Sequence, residues 1–137
     1  MAKTITSHFP DRLQVKDHFS NEAAAVYIYD NFAVVEVKEG TTLSFKNGFT
    51  LLLKGLMIMG TKPWVYVSNR INSYAVIPTD YKYLNKVPTL KGLVIVSSKK
   101  SEHNHAQFEK KFFKKPFVIL NSLDEAYEWG CELLDND

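Results

Sequence analysis

Three short apolar runs limit what this chain can become: Trp64-Val65-Tyr66-Val67, Leu93-Val94-Ile95-Val96 and Phe117-Val118-Ile119-Leu120. Pro63 introduces the first and Gly92 precedes the second. β-Branched and aromatic side chains dominate all three, the composition of strands buried on both faces. Helical spacing fills the intervals between them, and strands that alternate with helices pair parallel through crossover connections. Upstream, Ala25-Val26-Tyr27-Ile28-Tyr29 and Phe32-Ala33-Val34-Val35-Glu36-Val37 flank Asp30-Asn31. Two turn formers that tolerate left-handed dihedrals, set between such runs, predict an antiparallel hairpin. The expected fold class is therefore α/β, a mixed β-sheet with an N-terminal hairpin followed by alternating helices and strands.

The helices are read from apolar periodicity and end signals. Over residues 42–59, Phe45, Phe49, Leu52, Leu56 and Met59 recur at alternating four- and three-residue steps, and Gly60 stops the pattern. Gly48 and Gly55 lie two turns apart beside this stripe, where missing side chains permit close backbone packing. A short helix is expected from Pro78 through about Lys86 with Thr79 as its cap, ended by Pro88. Another spans 101–113, with Phe108 and Phe112 facing the same way. Ser122-Leu123-Asp124-Glu125 is a capping box that opens the last helix, whose buried face is Leu123, Ala126, Tyr127, Gly130 and Leu134. Residues 1–22 form either an N-terminal arm or an extra strand near 12–19, where Leu13, Val15 and Phe19 fall at even spacings but Asp17 interrupts. Residues 23–137 are then a single domain, with no repeat or linker to divide them.

Composition excludes several functions. At 137 residues the chain suits one domain, and 45% hydrophobic content suits a globular one. Seventeen Lys and Arg against fifteen Asp and Glu give no global field for nucleic acid. Cys131 is the sole cysteine, so no intramolecular disulfide forms, in keeping with a reducing compartment. The first residues lack the apolar core of a signal peptide. The most apolar stretch, Phe49 to Met59, contains Lys54 and is too short for a transmembrane segment. A cytoplasmic location is expected.

No catalytic apparatus stands out. A G-x-S-x-G elbow is missing. Gly55 followed by Gly60-Thr61-Lys62 imitates a phosphate loop, but the lysine follows the hydroxyl residue and the segment runs helix to strand. Cys131 lies among Asp124, Glu125, Glu128 and Glu132, whose charge disfavours a thiolate, and reads as structural. Among the histidines, His103 and His105 would point to nearly opposite sides of a helix, and no zinc spacing is present, so neither metal nor cofactor is expected. A lysine cluster (Lys99, Lys100, Lys110, Lys111, Lys114 and Lys115) faces six acidic residues after Pro116. Complementary surfaces within or between subunits explain it more cheaply than nucleic acid, which is disfavoured as a partner.

Two candidate sites remain. Asn69, Arg70, Ser73 and Tyr74 follow a buried strand end, where α/β folds place ligands. There Arg70 is the candidate to grip an anion in bidentate fashion and Tyr74 the candidate to stack, although a structural ion pair for Arg70 is the favoured reading. On the helix at 42–59, Leu51, Met57 and Ile58 widen the apolar sweep beyond what a surface helix needs. They predict a homodimer surface or an apolar pocket, for which methionine is an adaptable lining.

The order of elements, with Lys62-Pro63-Trp64-Val65-Tyr66-Val67-Ser68-Asn69-Arg70, Ser73-Tyr74 with Pro78, and the closing Phe117-to-Trp129 segment, resembles the STAS-like domains related to anti-sigma-factor antagonists, also described as STAS/SEC14-like. The resemblance spans roughly residues 24–134 and rests on order and texture rather than on one motif. It implies non-enzymatic work: switching of a protein partner, or binding of a small or lipid-like ligand. Antagonists of that family use a phosphorylated serine in an Asp-Ser-like context; here Ser68 and Ser73 lie in roughly the right region, but Asn69-Arg70 replaces the acidic surroundings, so that switch is not carried over. The expected function is a regulatory or ligand-binding module for a protein partner or a small apolar or anionic ligand. The alternatives are a small enzyme with a site near Arg70 and Tyr74, and a purely structural homodimer.

Overall fold

A computed structural model describes residue 9, residues 14–71 and residues 75–136. Along the chain run β1 (Asp17–Ser20), β2 (Ala24–Ile28), β3 (Phe32–Val37), β4 (Thr42–Leu43), α1 (Phe45–Met59), β5 (Trp64–Asn69) and β6 (Ala75–Val76). A 3-10 turn at Pro78–Asp80 leads into α2 (Tyr81–Asn85), followed by β7 (Leu90–Val96) and α3 (Lys100–Glu109). A second 3-10 turn at Lys110–Phe112, β8 (Phe117–Leu120) and α4 (Leu123–Asp135) complete the order. The fold is α/β with a mixed sheet, an N-terminal antiparallel hairpin and alternating helices and strands, as the apolar runs predict.

Six strands form the main sheet in the order β1-β2-β3-β5-β7-β8, and β4 pairs with β6 in a two-stranded annex. β1, β2 and β3 are antiparallel neighbours, whereas β3, β5, β7 and β8 run parallel. Each parallel connection steps to the next position in the same direction. Right-handed crossovers then place every intervening helix on one face. The core on that face agrees: Leu51 and Met59 of α1, Tyr81 of α2 and Ala106 of α3 pack with Val26, Val35, Leu93 and Ile95. After the edge strand β8 the chain turns back, and α4 covers the opposite face with Ala126, Tyr127, Trp129 and Leu133 against Val65, Val67 and Val94. Close approach there depends on glycine. A Cβ at Gly92 would lie 2.6 Å from Leu133, and one at Gly130 would overlap the Phe32 ring.

Several local expectations change. β1 supplies the extra strand, with Asp17 inside it rather than interrupting it; Leu13 lies outside the described residues. Among the described residues only Gly40 and Gly60 have positive φ, so the hairpin turn forms without left-handed dihedrals. Asn31 instead ties the turn to the next strand: its Nδ2 donates to the Pro63 carbonyl at 2.7 Å, and its carbonyl accepts from Val65 N–H at 2.9 Å. The first helix begins at Phe45 because Thr42-Leu43 is drawn into β4. Ser44 caps it, accepting from Asn47 N–H while Asn47 Oδ1 accepts from Ser44 N–H. Thr79 provides no side-chain cap, because Pro78–Asp80 is a 3-10 turn running straight into α2. At α4, Ser122 Oγ accepts from Glu125 N–H at 3.2 Å as expected, but the Glu125 carboxylate reaches Asn121 N–H, one residue further back.

Candidate functional site

Helix α1 does not seat tightly on the sheet. Of its 15 residues only Leu51 and Met59 are buried. Gly48 and Gly55 face the sheet, but the backbone does not close onto it. A Cβ at Gly55 would meet Ile28 and Phe19 at 3.8 Å, an ordinary contact. The missing side chains therefore leave space rather than allow contact, which corrects the expectation of close packing. That space is a cavity of about 120 Å³ between α1 and strands β2, β3 and β5. Val35, Leu51, Leu52 and Leu56 are among its apolar walls.

One end of the cavity reaches the surface beside the annex. Phe49 and Ile77 line it and are each 39% exposed, marking the mouth. Parallel pairing of Thr42-Leu43 with Ala75-Val76 and a bond from Ile77 N–H to the Leu43 carbonyl (3.1 Å) frame that opening. Across it, Asp80 Oδ2 accepts the first helical N–H of α1, that of Phe45, at 2.7 Å. The Phe45 ring stacks on Tyr83 with centroids 3.7 Å apart.

The other polar feature of the lining is internal. Arg70 lies just past β5 and is 8% exposed. Its Nη1 and Nη2 donate to the two carboxylate oxygens of Glu109 at 2.7 and 2.6 Å, and its Nε donates to Ser68 Oγ at 3.3 Å. Tyr81 donates its hydroxyl to Glu109 Oε1 at 2.5 Å. Burial, then the neighbouring Glu109 charge, hold the Tyr81 phenol well above the ordinary tyrosine range. A bidentate ion pair with both partners buried is a satisfied interior unit. The Arg70 fork is committed to Glu109, which removes the geometry for gripping an external anion.

The remaining candidates separate. Asn69 donates Nδ2 to Glu36 Oε2 at 2.8 Å. Strand alternation puts it on the face opposite Ser68, so Asn69 and the cavity lie on different sides of the sheet. Ser73 and Tyr74 lie outside the described residues. Leu51 lines the cavity, but Met57 is 82% exposed and Ile58 38%, and neither lines it. A four-residue step carries Leu53 onto the same outward side as Met57. Ser68 is buried.

The lysine cluster loses one member to the interior. Lys99, Lys110, Lys111 and Lys114 are exposed, but Lys115 turns inward to the carbonyls of Val87 and Leu90. Burial, and then Lys91, lower its pKa. His103 bonds through Nε2 to the Ser97 carbonyl at 2.6 Å. Among the described residues no three His, Cys, Asp or Glu side chains gather as a metal would require, and no helix is long and apolar enough to cross a membrane.

Sequence reasoning passed over Glu109, Tyr81 and Asp80. Glu109 had a signal: with Ala106 and Phe113 it occupies the three-and-four spacing of a buried stripe, and an acid there requires a buried partner. Asp80 had none, since its partner is 35 residues away. Comparisons with protein-family models, curated proteins and solved structures return no match for this chain.

Proposed function

We propose that this chain is a non-enzymatic, cytoplasmic ligand-binding module of STAS-like type that holds a small apolar molecule between α1 and the sheet. The cavity carries the reading. Its volume is close to that of engineered apolar cavities that take up benzene, of about 150 Å³. Its walls are largely hydrocarbon, as in small-molecule sites where a few polar groups fix orientation. The mouth at Phe49 and Ile77 gives a route in, and α1, joined to its surroundings by few buried side chains, is the element that would yield. The non-enzymatic reading draws support from the candidate polar groups, since Arg70 and Glu109 are closed on each other.

A backbone amide NMR titration with benzene and with cyclohexane tests this. Shifts concentrated in α1, β2, β3 and β5 are expected; shifts elsewhere, or none, would refute it. The exposed, outward-facing Leu53 and Met57 favour a second role, self-association through the outer side of α1. Recording the same spectra at two protein concentrations reads that out, because a dimer broadens α1 resonances as concentration rises and a monomer leaves them unchanged.

A further inference from the structure

The chemical class of the ligand follows from how the cavity's own charges are disposed, given the reading that the cavity holds a ligand at all. Two features of the lining would ordinarily attract an anion. One is the Arg70 guanidinium, the other the N-terminus of α1, where unpaired backbone N–H groups and the helix dipole favour negative charge. Each is already met by a carboxylate of the chain itself. Glu109 takes both guanidinium arms, and Asp80 takes the Phe45 N–H. Asn47 and Ser44 satisfy further groups at the same helix end. Glu109 neutralises Arg70 from outside the lining, and Asp80 offsets the partial positive charge of the helix end, so neither cationic feature is left to receive a ligand anion.

We propose that the cavity selects uncharged molecules, apolar or with a neutral polar head, and rejects carboxylates of the same shape. An entering carboxylate would lose its water and find both cationic features held by like charges. Such an ion is strongly disfavoured in apolar surroundings. A neutral amide or alcohol suffers no such repulsion. This narrows the expected ligand classes to the uncharged one, although the chain is basic overall.

Benzamide and benzoate form a nearly isosteric pair that isolates charge. Titrating each into the full chain at neutral pH, with binding read from α1 and β3 amide shifts, benzamide is expected to bind at least about tenfold more tightly. Equal or tighter binding of benzoate at the same residues overturns the selection while leaving the cavity as a ligand site. No shift with benzamide, benzoate, benzene or cyclohexane overturns the binding reading itself, and the selection with it. Asp80→Asn preserves shape and removes one internal carboxylate. In that variant the preference should shrink severalfold, and an undiminished preference would rule out internal carboxylates as its cause.

Discussion

Removing the Glu109 carboxylate breaks the buried bidentate pair that it forms with the Arg70 guanidinium. Breaking a buried pair on one side typically costs about 3–5 kcal/mol, far more than a surface ion pair is worth. Glu109→Gln should therefore lower the unfolding free energy, read from urea denaturation, by that order, and a loss under about 1 kcal/mol would show Arg70 to be solvated instead. Tyr81 adds a pH signature. Its folded pKa is raised, so its contribution is fully present below the ordinary tyrosine pKa of about 10 and is lost as pH climbs toward the folded value, where the unfolded phenol ionises first. Stability should fall above about pH 10, and Tyr81→Phe should flatten that fall in denaturation curves collected across alkaline pH. At this scale the sequence is informative only in part. Arg70 reads correctly as an ion-pair residue, but its partner lies 39 positions away and no local spacing connects them.

Among the elements, α1 differs from α4 although both are amphipathic. α4 is pressed so close to the sheet that side chains at Gly92 and Gly130 would collide with its neighbours. α1 carries two glycines where an added Cβ would meet its neighbours only at 3.4–3.8 Å, without a clash. Gly55→Ala should therefore stabilise the fold by about 0.5–1 kcal/mol through helix propensity, because the added methyl finds only ordinary contacts. It should also weaken benzene binding by narrowing the cavity. A denaturation midpoint that falls instead would place the Gly55 backbone in contact with the sheet. Strands β3, β5 and β7 are legible because burial on both faces writes itself as apolar runs, and the half-buried edge strand β8 keeps the same composition. The annex of β4 and β6 is not: two residues each, paired across 33 positions, leave no periodic trace. In the hairpin, Asp30-Asn31 marks the turn correctly, but tertiary bonds from Asn31 to Pro63 and Val65, rather than left-handed dihedrals, fix its form.

For the whole molecule, topology decides where a ligand can go. A sheet that grows in one direction collects α1, α2 and α3 on one face and puts α4 on the other, where Phe9 also packs. The crowded face spans hairpin and parallel strands alike, and α1 bridges the junction between them without filling it. A pocket along this helix is foreseeable from its excess of apolar residues, but not which of them would line it. Leu51 turns in, whereas Met57 and Ile58 turn out, because helix rotation is set by where the sheet lies rather than by hydrophobicity alone. The strand-end set of Asn69 and Arg70 divides for the same reason, as alternation sends Asn69 to the far face. Xenon occupies dry apolar cavities without needing polar partners. A crystal structure of the chain under xenon pressure should therefore show the atom between α1 and strands β2, β3 and β5, near Val35, Leu52 and Leu56; a xenon-free site with α1 collapsed onto the sheet would contradict the account.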